Sequence, residues 1–263
     1  MNHKKVIAFS DFHCGSDVGL RPPEVKLQNG NINSIGDSIH QRYLWEKYLE
    51  AIEWVKEVTA GEPFVLLLNG DLIEGIHHGS QEVVAMQWET HMQIAMDCLK
   101  PLCALTETIL VVKGTECHTR DIEDALASKI GAVTGKAHNQ WRFRVNGVLN
   151  EAQHHMGTTK RKWLEAGEGS RIMANNVINC VDCGHEPPKV FWRAHRHVGG
   201  YIAAAGRHFL VAGAWQFLTR YGHKVVGDSI PIPTVQYMDF TDPEFPIHKE
   251  KKFFPPEKRA IEL

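Results

Sequence analysis

The chain has 263 residues, of which 43% are hydrophobic and 23% are charged, and its formal net charge is -2. These values are typical of a globular protein with an ample core, and they give no bulk electrostatic reason to expect nucleic-acid binding. Its apolar stretches are shorter than the roughly 18 residues that a membrane span needs, and none near the start fits a signal-peptide core. We therefore expect a cytoplasmic protein with reduced thiols and no membrane association.

The first half of the chain alternates between apolar strands and amphipathic helices. A glycine-rich segment over residues 14–37 separates the first strand from the first helix, and long loops of this kind tend to be functional. The order of strand, helix, strand, helix and strand predicts a mainly parallel sheet. In chain order, the predicted elements are a strand over residues 5–11, a helix from Asp37 or Ser38 to about Thr59, a strand over 64–69, a helix over 83–105 and a strand over 108–113.

The second half is richer in hairpins. Asn146-Gly147 separates two strand-like runs, which is the strongest short signal for a β-hairpin. Because the sequence shows no internal repeat or linker, we expect one α/β domain over residues 1–263, with two mixed sheets packed face to face and helices outside. The predicted elements are a helix over 122–131, strands over 141–145 and 148–153, a helix over 160–183, a strand over 190–194, strands over 201–205 and 208–212, and a strand near 235–240.

Aspartate and histidine cluster at the ends of four apolar runs, where an α/β sheet presents polar groups to a ligand. Side chains two positions apart on an extended chain point to the same side, so D-x-H and H-x-H each form a pair of ligands. Carboxylate and imidazole together suit borderline divalent metals, and two cations become possible if one aspartate bridges them. The clusters are Asp11-Phe12-His13, Asp71, His154-His155 and His195-Arg196-His197.

Five short motifs follow one another over about residues 6–200: Asp11-x-His13, Gly70-Asp71-x-x-Glu74, Gly114 after an apolar strand, His154, and His195-x-His197. Their order and their positions after strands resemble those of the calcineurin-like metallophosphoesterase superfamily. The resemblance implies a four-layer α/β/β/α sandwich with a dimetal site at the C-terminal ends of its strands. It also implies phosphoester hydrolysis by a hydroxide that bridges two divalent cations, manganese, iron, zinc or similar.

The resemblance further implies a role for each residue of these motifs. The implied ligands are Asp11, His13 and His197 for one cation, Asp71 as the bridge, and His195 and His154 for the other. His155 is an alternative to His154, which is favoured because it comes directly off the predicted strand. Glu74 either supports a metal ligand or is solvated.

One motif departs from the pattern of the superfamily. Where the family has Gly-Asn-His followed by an acidic residue, this chain has Gly114-Thr115-Glu116-Cys117-His118. Thr115 is a poorer donor than the asparagine it replaces, and Glu116 is an alternative oxygen ligand. The histidine that protonates the leaving group would then be His118, and Arg120 is a candidate to meet an anionic substrate.

Two functions follow from this interpretation. The leading one is a dinuclear-metal phosphohydrolase, acting on either a phosphomonoester or a phosphodiester. The basic segment over residues 160–171 slightly favours a nucleotide or nucleic acid as substrate, although a solvated helix face is the default interpretation of such a run. The alternative is a catalytically degenerate scaffold or binding module, which the altered motif over residues 114–118 keeps open.

Overall fold

The computed structural model describes residues 3–27, 29–77, 81–119, 121–157, 165–226 and 230–256. Within this part of the chain, the strands form two five-stranded sheets and a separate small hairpin. Both large sheets are mixed, as the sequence predicts. None of the described helices combines the length and the apolar character needed to cross a bilayer.

The first sheet has three parallel strands at one side and two antiparallel strands at the other. Its order is β12-β11-β1-β4-β5, in which β1, β4 and β5 run parallel and β11 and β12 are antiparallel to their neighbours. The strands are β1 (Lys5–Phe9), β4 (Val65–Leu68), β5 (Thr108–Val111), β11 (Thr234–Asp239) and β12 (Ile247–Lys252). Helices α1 (Ile39–Thr59) and α2 (Trp88–Cys103) lie between the parallel strands in sequence, as expected of β-α-β connections.

The second sheet has a parallel centre and an antiparallel hairpin at each edge. Its order is β6-β7-β8-β10-β9, with β7, β8 and β10 parallel. The strands are β6 (Trp141–Val145), β7 (Val148–Ala152), β8 (Val190–Arg193), β9 (Gly200–Ala204) and β10 (Arg207–Val211). Helix α5 (Glu165–Asp182) follows β7, and the first residues of the predicted helix, 160–164, lie outside the described residues.

Three apolar clusters show which faces of the sheets are buried. Ile7 and Phe9 of β1 pack in a cluster with the apolar faces of α1 and α2. Val6 and Ala8, on the opposite face of β1, pack against residues of the second sheet such as Trp192. A third cluster joins the outer face of the second sheet to α5. Because both faces of β1 are covered, its sequence is a continuous apolar run.

The start of α1 follows the prediction, whereas α2 begins later than predicted. The Ser38 side chain accepts a hydrogen bond from the Gln41 backbone N–H and caps α1. The predicted second helix started at residue 83, but α2 starts at Trp88. The backbone of Val84 instead donates to the Gly15 carbonyl over 2.8 Å, so this stretch is held by the loop after β1.

Five further elements were not predicted. The segment over residues 14–37, expected to be a loop, contains a hairpin of β2 (Glu24–Lys26) and β3 (Ile32–Ser34). The Arg21 guanidinium holds this hairpin through two hydrogen bonds of 2.7 Å to the side chain and carbonyl of Asn33. Strand β12 was not predicted because it is a polar edge strand with little apolar alternation. The remaining elements are the short helices α3 (Glu116–Thr119) and α6 (Arg220–Val226), while α4 (Ile122–Lys129) matches its prediction.

Candidate metal centre

The segments that follow the strands of both sheets meet at one place. After β1 and β4 the chain continues as two neighbouring segments, in which the backbone N–H of Asp11 donates to the Gly70 carbonyl and that of His13 donates to the Asp71 carbonyl, each over 3.0 Å. The second sheet joins them there, because the backbone N–H of His195 donates to Asp11 Oδ2 over 3.3 Å. The carboxyl ends of the parallel strands thus face a common site.

The backbone at this site is in an unusual conformation. Among the described residues, eight non-glycine residues have a positive φ, and five of them come from the predicted ligand set. Such conformations cost roughly 1–3 kcal/mol each and persist only where the surrounding structure imposes them, which is common at functional sites. The five residues are Asp11, His13, Asp71, His195 and His197.

One group of ligand atoms comes from Asp11, His13 and His197. Asp11 Oδ1 lies 3.6 Å from His197 Nε2 and 3.9 Å from His13 Nε2, and the two imidazole nitrogens are 3.3 Å apart. The three residues form a set whose ligand atoms all lie within 4.8 Å of one another. These are the residues that the sequence resemblance assigns to one cation.

A second group surrounds Asp71. His154 Nε2 lies 2.9 Å from Asp71 Oδ2, and His195 Nδ1 lies 3.9 Å from the same oxygen. Asp11, Asp71 and His154 are all buried and form another set within 4.8 Å, so the two groups are contiguous. Although burial opposes ionisation, the charge of His154 and its hydrogen bond hold the pKa of the Asp71 carboxyl well below its usual range.

The electrostatics of the site fit a divalent cation. Asp11 Oδ1 is buried and has no hydrogen-bond partner among the described residues, yet nitrogens of His13, His154 and His197 surround it at 3.6–4.0 Å. A buried acceptor without a partner costs about 1–3 kcal/mol, and a cation would remove that cost. Against the effect of burial, Glu74 raises the pKa of His13 to about 9, and Asp71 raises the pKa of His154 to about 10. When protonated, these two imidazoles supply positive charge that balances the nearby carboxylates. A bound divalent cation would supply that positive charge instead.

Hydrogen bonds from Nδ1 orient two of the imidazole rings. His13 Nδ1–H donates to Glu74 Oε2 over 2.7 Å, and His154 Nδ1–H donates to the Asn69 carbonyl over 2.6 Å. Each bond fixes the proton at Nδ1, so that Nε2 of the neutral ring carries a lone pair directed into the site. This is the tautomer that a metal-binding histidine requires.

Glu74 is buried and contacts a predicted ligand, so it is not solvated. Its carboxylate is buried and accepts hydrogen bonds from His13 Nδ1 (2.7 Å), His77 Nε2 (3.1 Å) and Gln216 Nε2 (2.9 Å). Burial opposes its ionisation, but the bonds from His13 and His77 lower the pKa of the Glu74 carboxyl from its ordinary value of 4.5. Gln216, which follows β10, was not singled out from the sequence because a glutamine after a strand carries no specific signal.

Comparison with solved structures finds several proteins that are similar to this chain over most of its length. It is similar to Vps29 from Chaetomium thermophilum (10% identity, TM-score 0.46, covering 96% of this chain and 97% of that chain) and to a novel archaeal phosphodiesterase (13% identity, TM-score 0.45, covering 95% and 99%). It is also similar to Vps29 complexed with Zn²⁺ from Entamoeba histolytica (11% identity, TM-score 0.41, covering 94% and 98%). The matched structures have the calcineurin-like metallophosphoesterase fold. No protein-family model and no curated protein sequence matches the chain.

The altered motif brings Thr115, and not Glu116, to the site. Thr115 Oγ1 lies 3.0 Å from Asp71 Oδ2 and 3.2 Å from His195 Nδ1, and its backbone N–H donates to Asp71 Oδ1 over 2.6 Å. Glu116 is exposed at the start of α3 and belongs to none of the metal-ligand sets among the described residues. Glu116 as a substitute ligand stays a prediction, and in this structure its exposed side chain on α3 lies outside these sets. Gly114 is required here, since a Cβ would overlap Asp71.

A buried carboxylate that sequence analysis did not single out holds two segments of the site together. Glu123 accepts hydrogen bonds from the backbone N–H groups of Leu72 (3.0 Å) and Gly114 (2.7 Å). Leu72 directly follows Asp71, and Gly114 is the first residue of the altered motif. Burial, with a contribution from the charge of Asp71, raises the pKa of Glu123 to about 7. In the sequence, Glu123 resembles an ordinary acidic residue in the first turn of a helix, which explains why it was missed.

The remaining predicted residues lie at the edge of the site or outside the described part. His118 is half-buried, donates from Nδ1 to the Glu74 carbonyl over 2.9 Å, and has its ring centre 4.9 Å from that of His13. His155 is exposed, with its ring 4.6 Å from that of His195, while the buried His154 makes the contact to Asp71. The side chain of Arg120 lies outside the described residues. His91, another histidine in this part of the chain, is buried and donates to the Ala85 carbonyl over 2.7 Å.

Proposed function

We propose that the protein is a metal-dependent phosphoesterase. The observation that carries this proposal is the carboxylate of Asp11, whose buried Oδ1 is surrounded by imidazole nitrogens next to the carboxylate of Asp71. We also propose that the three apolar clusters correspond to a four-layer α/β/β/α sandwich with this site at its strand ends. The residues proposed to hold two divalent cations, such as manganese, are Asp11, His13, Asp71, His154, His195 and His197.

Each side chain has a defined task in this proposal. Asp11, His13 and His197 would hold one cation, His154 and His195 the other, and the Asp71 carboxylate would serve both. When bound, such a pair of cations supplies activation of the water nucleophile and neutralisation of charge on the phosphoryl oxygens. Thr115 orients Asp71 through two hydrogen bonds, and Glu74 orients His13 through one.

His118 is the proposed acid for the leaving group. Its Nδ1–H donates to the Glu74 carbonyl, so Nε2 is the nitrogen that can accept a proton from solvent and pass it to the departing oxygen. Burial, followed by the charge of His13, lowers the pKa of His118, which makes the protonated ring a stronger acid. A positioned acid of this kind typically contributes about 10²–10⁴-fold to the rate.

The proposed substrate is a phosphoester, either a monoester or a diester, and a nucleotide or nucleic acid belongs to this class. The basic residues that favoured such a substrate, Lys160, Arg161 and Lys162, lie outside the described residues, as does Arg120. The described residue Arg171 of α5 is paired with Glu168 through two hydrogen bonds of 2.6 and 2.9 Å. It is therefore a weaker candidate for binding an anion.

Hydrolysis of p-nitrophenyl phosphate and bis-p-nitrophenyl phosphate in the presence of Mn²⁺ tests the proposal. We expect the wild type to hydrolyse at least one of the two esters and Asp71→Asn to lose about 10²-fold or more of that rate. Asp182→Asn, which changes an exposed aspartate at the end of α5, is the matched control and should retain the rate. Undiminished hydrolysis by Asp71→Asn would contradict the proposal.

The altered motif supports one alternative, a binding module that keeps the site without the chemistry. Glu116 is exposed where the family places a histidine that faces the substrate, so part of the family's catalytic apparatus is displaced in this chain. Stoichiometric Mn²⁺ binding without hydrolysis of any phosphoester would favour this alternative over the enzyme.

A further inference from the structure

A second type of ligand set lies beside the proposed metal centre. One ring nitrogen each of His77 and His118 and the sulfur of Cys117 lie within 4.8 Å of one another, and all three residues are half-buried. None of the three belongs to the six residues proposed to hold the cation pair. Among the ligand sets of the described residues, this is the one that contains a thiol.

The backbone fixes the two segments that supply this set. His77 lies in the segment between β4 and α2, and Cys117 and His118 lie on α3. The segments are in direct contact at Gly75, where a Cβ would overlap the His118 carbonyl oxygen. Gly75 also has a φ of +69°, a conformation that favours glycine. The close approach of these two backbone segments therefore brings the three side chains together.

Glu74 sets the proton positions on both imidazoles. His118 Nδ1 faces the Glu74 carbonyl at 2.9 Å, and His77 Nε2 faces Glu74 Oε1 at 3.1 Å. Both oxygens only accept hydrogen bonds, so the protons lie on these two nitrogens. In the neutral rings the lone pairs are then at Nε2 of His118 and Nδ1 of His77. The ring centres are 4.1 Å apart and the planes nearly perpendicular, at 76°.

We propose that His77, Cys117 and His118 form a third cation site that binds zinc. One thiolate and two imidazoles match the donors that zinc prefers, whereas manganese prefers oxygen ligands. Binding releases the thiol proton of Cys117 to solvent as the sulfur–zinc bond forms. The fourth ligand is supplied by water or by a neighbouring group.

This site gives zinc a way to switch off the reaction. Occupancy would commit the Nε2 lone pair of His118 to zinc, so that nitrogen could no longer carry a proton to a leaving group. The inhibitory effect rests on the proposed function, whereas zinc binding itself does not. Manganese would then support activity and zinc would suppress it through a separate set of residues.

Titration of the metal-free protein with Co²⁺, a spectroscopic substitute for zinc, tests the site without any assay of activity. We expect a thiolate-to-cobalt charge-transfer band in the wild type, its loss in Cys117→Ser, and its weakening in His77→Gln. Cys183→Ser, which changes an exposed cysteine directly after α5, is the control and should keep the band. Equilibrium dialysis should show that Cys117→Ser binds about one zinc ion fewer than the wild type. Absence of the band in the wild type, or its persistence in Cys117→Ser, would overturn the site.

Zinc inhibition at saturating Mn²⁺ tests the regulatory step. The wild type should lose about tenfold or more of its hydrolysis rate when zinc is added, in line with the loss of an acid catalyst, and Cys117→Ser should resist this inhibition. Equal inhibition of both proteins would mean that zinc acts at the Asp–His centre and would overturn the regulatory step. A wild type that shows the cobalt band but hydrolyses no ester would refute the proposed function and leave the third site intact.

Discussion

His13 and Glu74 form a buried pair in which Nδ1 of the imidazole lies 2.7 Å from Oε2 of the carboxylate. The pair links a predicted ligand to a residue that also contacts His77 and, through its backbone, His118. Glu74 therefore positions groups of both the proposed centre and the proposed zinc site. Such supporting contacts are comparable in importance to the ligands themselves.

Replacing Glu74 should weaken metal binding without unfolding the protein. In Glu74→Gln the acceptor for His13 loses its charge, and we expect a loss of about 10–100-fold in Mn²⁺ affinity, measured by isothermal titration calorimetry. Glu53→Gln, on the exposed side of α1, is the control. Unchanged Mn²⁺ affinity in Glu74→Gln would show that the pair has no role in binding.

Replacing His118 should affect poor leaving groups most. A p-nitrophenolate leaves readily without a proton, whereas an alkoxide does not, so His118→Asn should slow alkyl phosphate hydrolysis about 10²–10⁴-fold and p-nitrophenyl phosphate hydrolysis far less. Steady-state rates on the two esters measure the difference, and His185→Asn, an exposed histidine elsewhere, serves as the control. Equal losses on both esters would argue against an acid role.

Substitutions at residues 115 and 116 distinguish the two candidates for the missing asparagine. Thr115→Val removes the hydroxyl that contacts Asp71 and His195, and we expect weaker binding of the second Mn²⁺ by about tenfold. Thr115→Asn, which restores an amide, should bind at least as tightly as the wild type. Glu116→Gln should leave binding unchanged, and a loss in that variant alone would reverse the assignment.

The stability of the metal-free protein should fall as the pH rises. In the folded state the pKa of His13 is raised to about 9 and that of His154 to about 10, from an ordinary value of 6.5. Their contribution to the free energy of unfolding is fully present below about pH 6.5 and is lost as the pH rises through these folded pKa values. Asp71 and Glu74 have lowered pKa values, so their contribution is lost at acidic pH instead.

Thermal unfolding between pH 6.5 and 9, with EDTA or with Mn²⁺, checks this dependence. Bound Mn²⁺ replaces the imidazole protons, so the increase in melting temperature that it causes should grow with pH. His154→Gln should reduce the pH dependence of the metal-free protein. A metal-free protein whose stability is flat over this range would contradict the assigned protonation of His13 and His154.

The parallel strands were predictable because each is an apolar run that can be recognised in the sequence itself. Strand β1 is buried on both faces and reads as an apolar run, and the cap of α1 at Ser38 is visible in the sequence. The hairpin of β2 and β3 was not, since it depends on the contacts of Arg21 with Asn33 and not on apolar alternation. Strand β12 likewise depends on its pairing with β11, and the polar sequence of β12 gives no signal of that pairing.

The candidate site was predictable to the extent that its residues follow strands. Asp11 and Asp71 end apolar runs on neighbouring parallel strands, which brings them together by topology alone. The roles of Thr115 and Glu116 could not be separated, because the direction of each side chain depends on where α3 begins. Glu123 contributes through backbone contacts from a helix whose sequence is ordinary, so only the tertiary structure reveals it.

A crystal grown with Mn²⁺ and measured at a wavelength where manganese scatters anomalously gives the most direct test of the metal centre. We predict two anomalous peaks, one within coordination distance of Asp11, His13 and His197 and the other near His154 and His195, with the Asp71 carboxylate adjacent to both. No peak at these residues in a protein with saturating Mn²⁺, or peaks only at surface carboxylates, would contradict the proposal.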